Sequence, residues 1–375
     1  MEKSKVFFTD MRTKADESLL IKLDRLIKKA GIDEIDFKQK YVAVKIHFGE
    51  PGNLAFLRPN FARVVVDRIT ALGGMPFLTD CNTLYVGRRN QGLNHLDAAN
   101  ENGYYPQSTH CQNIIADGIR GTDEVDVPVK GGKYCKVAHI GRAIMDADIV
   151  VSLNHFKGHE ACGFGGAVKN IGMGSGSRAG KMVMHNDGKP VISKNDCIGC
   201  KTCARFCAHD AISFGGGKAS IDEGKCTGCG RCIGGCSKNA IGHRWSSSPE
   251  SLNCKIVEYT KAVLDGRPHF HINVVNQVSP YCDCHSESDA AVIPDIGIFA
   301  GFDPVALDKA CIDAVNAAPG IQTSILSERK RSHRDAAGNE DHFTDIHPST
   351  DWRSMISHAE EIGLGSGEYE LITVR

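Results

Sequence analysis

Ile149-Val150-Val151-Ser152-Leu153 runs directly into Asn154-His155-Phe156-Lys157-Gly158-His159. A run of strand length that is almost wholly apolar gives way, at one residue, to amide, imidazole and ammonium groups. The same change recurs where 41–47 ends in His47-Phe48-Gly49-Glu50 and where 75–78 leads into Asp80-Cys81-Asn82. Further strands are expected at 6–8, 270–275 and 293–299, and helices at 19–30, 60–72, 252–264 and 304–317. Strands alternating with helices predict an α/β fold: a mostly parallel sheet flanked by helices. In such sheets ligands bind beyond the carboxyl ends of the strands, so loops distant in sequence converge on one cleft. That groups His47, Asp80, His155, Lys157 and His159 as candidate catalytic residues, with Asn276 and Asp303 at equivalent places after two later strands.

Inside this alternation lies a segment of different character. Cys197, Cys200, Cys203 and Cys207, then Cys226, Cys229, Cys232 and Cys236, repeat the pattern C-x2-C-x2-C-x3-C. Three cysteines three residues apart let a short loop wrap one iron-sulfur cube, while the fourth projects to the cube of the other copy. The expected ligand sets therefore cross: Cys197, Cys200, Cys203 and Cys236 for one 4Fe-4S cluster, and Cys226, Cys229, Cys232 and Cys207 for the second. Gly199, Gly228, Gly230 and Gly234 supply tight backbone near inorganic sulfur. Structural zinc would use C-x2-C pairs and has no need of triplets. Over residues 190–244 the sequence resembles bacterial-type two-cluster ferredoxins, except that Ala208 and Ser237 stand where proline usually follows the fourth cysteine.

Strand and helix signals continue on both sides of this segment. The small α+β ferredoxin-like domain, 190–244, is thus expected as an insertion between the two parts of one α/β domain, 1–189 and 245–318. Polar turns at Asn186-Asp187-Gly188 and Ser246-Ser247-Ser248 would form its junctions, and 319–375 reads as a helical C-terminal appendage. The insert carries eight basic side chains, Arg231 and Arg244 among them, against four acidic ones. That excess either binds an acidic redox partner or offsets the charge of the clusters.

The whole chain has 44 Lys plus Arg against 45 Asp plus Glu, a net charge of −1, which leaves no global electrostatic case for nucleic acid or an anionic membrane. No apolar run approaches the roughly 18 residues of a bilayer span, and MEKSKVFFTD lacks a signal-peptide core, so a cytoplasmic protein is expected. In that compartment the 16 cysteines are expected to ligate metal or pack, not to form disulfides. The expected partner is a redox protein or a small anionic substrate.

Two more stretches are rich in donors, His155-x3-His159-x2-Cys162 and Cys282-Asp283-Cys284-His285. They suit an additional metal (zinc, iron or nickel); otherwise the histidines bind an anion and the cysteines alternate along an ordinary extended segment. The glycine-dense run from Gly163 to Gly174 contains Gly165, Gly166 and Lys169 and reads as a loop that cradles phosphate or carboxylate. Neither familiar nucleotide motif fits. The stretch from Gly176 to Lys181 is one residue short of a P-loop and is followed by Met182 at the magnesium position, while Gly174-x-Gly176-x-x-Ala179 lacks a preceding strand and a convincing following helix.

Lys45-Ile46-His47-Phe48-Gly49-Glu50, Asn154 to His159, Gly165 to Asn170, Cys282 to His285 and Gly301 to Asp308 resemble the family known as domain of unknown function 362, in its iron-sulfur centre subset, over most of residues 41–315. That resemblance implies architecture more than activity. His159, Lys169 and His185 are also similar, in order and spacing, to the active site of nickel-dependent lactate racemase. It would imply a nickel-pincer nucleotide on Lys169, His185 as a nickel ligand and His159 as an acid-base group.

Three functions are in view. The first is an oxidoreductase relaying electrons through two 4Fe-4S clusters to a substrate or metal in the cleft. There Lys157 and Lys169 would fix an anionic substrate, His155 or His159 would move protons, and Cys282, Cys284 and His285 would bind metal or act as redox thiols. The second is a non-enzymatic electron carrier or a metal- or cluster-handling protein. The third is a racemase-like isomerase built on Lys169.

Overall fold

The apolar runs become the middle of an eight-stranded sheet. In chain order its strands are β1 (Ser4–Asp10), β2 (Tyr41–Lys45), β3 (Met75–Asp80), β4 (Gln112–Ile115), β5 (Ile149–His155), β6 (His269–Val275), β7 (Gly297–Gly301) and β8 (Tyr369–Thr373). The computed structural model describes residues 3–85, 87–186, 188–243, 247–332 and 341–375; Asp187, Arg244 and Ser246 lie outside these. The strand order is β8-β1-β7-β6-β5-β2-β3-β4. Every strand but β7 runs the same way. Val44 lies opposite Val151 and Leu78, and Asn154 opposite Asn273, so the carboxyl ends of β2, β3, β5 and β6 share one edge.

Both faces of the sheet are covered, which is why β5 reads as apolar without alternation. Ile149, Val151 and Leu153 point into a core with the helices α1 (Leu19–Lys29) and α2 (Pro59–Ala71). Val150 points the other way, into a core with α3 (Ala167–Ser175), α4 (Pro249–Leu264) and α5 (Pro304–Ala317). Each fully buried Val, Leu or Ile contributes about 1.5–3 kcal/mol on either face. Among the described residues no helix is long and apolar enough to cross a membrane.

Several expectations need correction. The strand expected at 293–299 is Gly297–Gly301 and is antiparallel to both neighbours. The 276–296 connection contains no helix, so the chain returns beside β6 in the reverse direction instead of crossing over. Asp303 therefore falls at the edge away from the cleft, where it accepts hydrogen bonds from Ser4 Oγ (2.8 Å) and from the amides of Val305 and Ala306 at the start of α5. Residues 341–375, read as part of an appendage, are built into the α/β domain. Phe343 and Trp352 belong to the α3–α5 core, and β8 extends the sheet in parallel with β1. A helix, Arg178–Asn186, does follow the glycines at 174 and 176.

The glycine-dense loop is also different. Lys157–His159 pairs antiparallel with Gly163–Gly165, and α3 begins two residues later. The amino end of α3 is filled by the chain's own carboxylate: Asp308 of α5 accepts the amides of Ala167 (2.7 Å) and Val168 (2.9 Å) and the Asn273 side chain (2.7 Å). A Cβ on Gly166 would lie 2.2 Å from Asp308 Oδ1, so that glycine serves this contact and not an external anion. A Cβ on Gly165 would make only ordinary contact with the Lys157 side chain, at 3.4 Å.

Residues 190–243 form a small unit between Arg178–Asn186 and α4. Pro190–Ile192 pairs with Ile241–His243, Ile212–Gly215 pairs with Lys218–Ile221, and the short helices Thr202–Arg205 and Arg231–Gly235 pack together.

Burial pushes the Asp308 carboxyl up to about 6 from an ordinary 3.8, against the opposing pull of its three donors. The folded state thus favours the protonated form, and this group's contribution to stability is complete below 3.8 and lost as pH rises through 6. Asp308→Asn is expected to flatten that fall in urea denaturation profiles between these two values. Asp308→Ala, which strands buried amides, should cost about 2–3 kcal/mol at neutral pH in the same measurement.

Candidate functional site

Beyond the carboxyl ends of β2, β3 and β5 lies a cavity of about 440 Å³. Its walls bring together His47, Asp80, His155, Lys157, His159, Lys169, His185, Cys284 and His285, all singled out by sequence. Cys282 lies behind the wall, buried and in contact with Lys169. Gly165 and Gly166 do not reach the cavity. Glu160, Arg89, Tyr85 and Lys181 also line it and were not foreseen.

One wall is an ion network. Asp80 Oδ1 lies 3.0 Å from Lys45 Nζ and accepts the Cys81 amide, while Asp80 Oδ2 lies 3.3 Å from Arg89, which also pairs with Glu50 at 3.0 Å. Burial works to raise the Asp80 pKa, but Lys45, His95 and Arg89 outweigh it and hold the carboxyl below its ordinary range. All its partners are inside the protein, so Asp80 braces the wall. Beside it His47 Nδ1 accepts the Gly49 amide at 3.1 Å. Burial, with the Arg89, Lys157 and Lys169 charges, keeps its pKa well below the ordinary value, leaving a neutral ring with its proton on Nε2.

The opposite wall is built from the hairpin after β5 and the connection between β6 and β7. Lys169, from the first turn of α3, donates to Cys282 Sγ at 3.2 Å. A hydrogen bond from Cys284, together with Lys169 and His159, keeps the Cys282 thiol well below its ordinary pKa despite burial, and Cys284 is pushed up correspondingly. Burial opposes the charge of Lys169, but the Cys282 and Cys284 sulfurs raise its pKa on balance. His285 Nε2 lies 3.1 Å from Glu160 Oε1, and this bond raises the histidine. His159 Nδ1 accepts the amides of Ala161 and Cys162 at 3.1 and 3.2 Å, which places the neutral ring's proton on Nε2. Burial disfavours its cation, but Glu160, Cys162 and Cys282 more than offset that and raise its pKa.

His155 is placed differently from its neighbours. Nδ1 bonds the Asp283 carboxylate at 2.9 Å and Nε2 donates to the Asn276 carbonyl at 2.8 Å. Both ring nitrogens are occupied, and Asp283 in turn lies 3.5 Å from Lys157 Nζ.

In the 190–243 unit the eight cysteines line two small cavities. Cys197, Cys200, Cys203 and Cys236 face one; Cys207, Cys226, Cys229 and Cys232 face the other. Amides point at sulfur in matching places: Ala211 N to Cys207 Sγ at 3.4 Å and Ala240 N to Cys236 Sγ at 3.3 Å. Gly199 (φ 66°) and Gly228 (φ 79°) allow carbonyls of Gly217 and Gly188 to approach where a Cβ would clash. Leu84 and Met182 join Cys232 and Ile233 in one apolar cluster, and Leu84 also lines the large cavity. Arg178, fully buried, donates to the Arg120 and Thr83 carbonyls and backs Gly230 of the second cysteine loop.

A family model described as domain of unknown function (DUF362) matches residues 42–313. The chain belongs to the DUF362 family. The DUF362 match spans β2 to most of α5 and includes the cysteine-rich unit. No curated protein matches this chain. Among solved structures, it is similar to a lactate racemase apoprotein from Thermoanaerobacterium thermosaccharolyticum at 12% identity and a TM-score of 0.37, covering 68% of this chain and 49% of that one. It is similar also to a Thermotoga maritima protein at 12% identity and a TM-score of 0.37, covering 78% and 57% respectively. The chain thus spans about half the length of these two structures.

If Asp80 braces the wall, Asp80→Asn leaves Lys45 and Arg89 buried beside a neutral amide. The expected loss is about 3–5 kcal/mol of unfolding free energy in guanidinium titrations. A variant of wild-type stability would show that the network is not a structural element.

Proposed function

We propose that this DUF362 protein is an oxidoreductase that carries two 4Fe-4S clusters on its cysteine quartets and passes electrons to an anionic substrate in the large cavity. The observation that carries this reading is the grouping of the eight thiols into two quartets, each taking its fourth member from the other's motif, beside an apolar contact at Leu84 that reaches the cavity wall. The donor set fits such clusters: four thiols per cavity, amides aimed at sulfur, and glycines where backbone must come close. When bound, the clusters would supply single electrons.

The chain's own residues would do the rest. Lys157 and Lys169 line the cavity and offer cationic contacts to a carboxylate or phosphate. His47, with its proton on Nε2, is the group suited to hand a proton to substrate, while His159, bonded to two amides and to the Cys282 sulfur, would influence the charge of that thiol. His155, held at both nitrogens, serves as a positioning residue for Asp283 and Lys157. Leu84 and Met182 would keep water out of the path between the second quartet and the cavity.

Anaerobically purified protein is expected to contain about eight irons and as many inorganic sulfides per chain, with a reducible electron paramagnetic resonance signal. Cys232→Ser should remove about half of the iron, and Lys169→Ala or His159→Gln should change the cluster signal in the presence of substrate-like anions. Colourless protein without sulfide ends the proposal, and clusters indifferent to every cavity variant end the coupling.

A second reading has one observation in its favour: His159, Lys169 and His185 line the same cavity. An isomerase with a nucleotide-derived nickel cofactor on Lys169 would show an intact mass above that of the sequence, mapping to this lysine. Unmodified Lys169 in natively expressed protein removes this option.

A further inference from the structure

We propose that Glu160, Cys284 and His285 form a mononuclear site for a divalent first-row transition ion of borderline softness, with one coordination position open to the large cavity. A carboxylate oxygen of Glu160, Cys284 Sγ and a ring nitrogen of His285 all lie within 4.8 Å of one another. That spacing suits three ligands around one ion, since metal–ligand distances are about 2.0–2.3 Å for this donor set. All three residues line the cavity. One oxygen, one nitrogen and one sulfur favour zinc and its neighbours over calcium or magnesium, which take oxygen alone. Three protein ligands with an open fourth position is the arrangement of a reactive site, not of a closed structural one.

The donors come from two segments that are locked together. The Gly158 amide donates to the Ser279 carbonyl at 2.9 Å, and a Cβ on Gly158 would lie 2.5 Å from the Pro280 carbonyl oxygen, so the hairpin and the β6–β7 connection meet backbone to backbone. The Glu50 amide donates to the Asp283 carbonyl (3.0 Å) and the Asn53 side chain to the His285 carbonyl (3.0 Å), tying the same loop to the segment after β2. The Cys282 amide reaches Glu160 Oε2 at 3.4 Å. Ion binding would displace the Cys284 thiol proton, and Lys169, 3.2 Å from Cys282 Sγ, supplies positive charge behind the site. Such a frame holds the three donors before an ion arrives, which lowers the ordering cost of binding.

The only other mixed donor group found among the described residues, Glu124, Asp126 and His139, lies against β-paired surface backbone. Unlike Glu160, Cys284 and His285, none of its members lines the large cavity. It serves as the internal control. The ion site deepens the electron-transfer reading by giving the cavity a Lewis-acid anchor for an anionic substrate, but its existence does not depend on the clusters.

The test uses zinc as probe and cluster-loaded full-length protein. After equilibrium dialysis against Zn²⁺ and desalting, one zinc per chain is expected, with an X-ray absorption shell of one sulfur at about 2.3 Å and nitrogen or oxygen at about 2.0–2.1 Å. Glu160→Gln, Cys284→Ser and His285→Gln should each weaken zinc retention at least tenfold with iron content unchanged, and Glu124→Gln should have no effect. No retained zinc, an all-sulfur shell from the cysteine quartets, a shell of light atoms alone, or loss of zinc in Glu124→Gln would each overturn the site. The shell is read on the unaltered protein, so a variant that misfolds does not obscure the result. Iron and sulfide from the same sample report the clusters separately: protein without iron that still shows the mixed shell would sink the relay and keep the ion site.

Discussion

A lysine ammonium cannot be carried into a sheet interior without a counter-charge, and Lys45, at 1% exposure, is paired with Asp80 at 3.0 Å. Arg89, equally buried, shares Asp80 and adds Glu50. Because none of these charges can be left alone, the ends of β2 and β3, the segment after β2 and the Arg88-Arg89 turn must take up one arrangement relative to each other. The large cavity is the space that this arrangement leaves. Its shape follows from desolvation: moving Asp80 leaves Lys45 buried without a counter-charge, and moving Arg89 does the same to Glu50.

The opposite wall obeys the same constraint with different chemistry. Lys169 faces a thiol, His285 faces Glu160, and Lys157 faces Asp283, so cations again alternate with anions. The difference lies in what is held. On the β2–β3 side the partners are hard and mutually saturated. On the hairpin side they include sulfur and imidazole with cavity access, which can exchange a proton or accept an ion. A cavity with one braced wall and one exchangeable wall is suited to holding a substrate against reactive groups. The helix carrying Lys169 is itself fixed by a buried carboxylate, Asp308, that occupies the anion position at its amino end.

Local patterns were readable and long-range pairings were not. Strands β2, β3, β5 and β6 stood out as apolar runs because helices cover both faces there. β4, with Gln112 and Asn113, and β8, at the far edge, were missed because outer strands carry polar side chains that resemble loop. Glu160 sits between His159 and Ala161 and reads as one more solvated acid. Only the closure of 157–165 into a hairpin against the 279–285 segment turns it toward His285. Arg89, following Arg88, reads as surface charge for the same reason. The glycines at 165 and 166 were read as part of an anion cradle, but the group packed against Gly166 is the protein's own Asp308.

The sequence by itself determined the α/β class, the residues at the carboxyl ends of the buried strands, and the repeated cysteine spacing. Each of these is encoded within about a dozen consecutive residues, where hydrophobic period and backbone reach are enough. The tertiary structure alone decided which of those polar residues face the cavity, which are consumed by internal pairing, and that β7 returns antiparallel and carries Asp303 to the opposite edge. Those outcomes depend on contacts between groups more than 100 residues apart, such as Lys169 with Cys282 and Asp308 with Ala167, for which nearby sequence carries no signal.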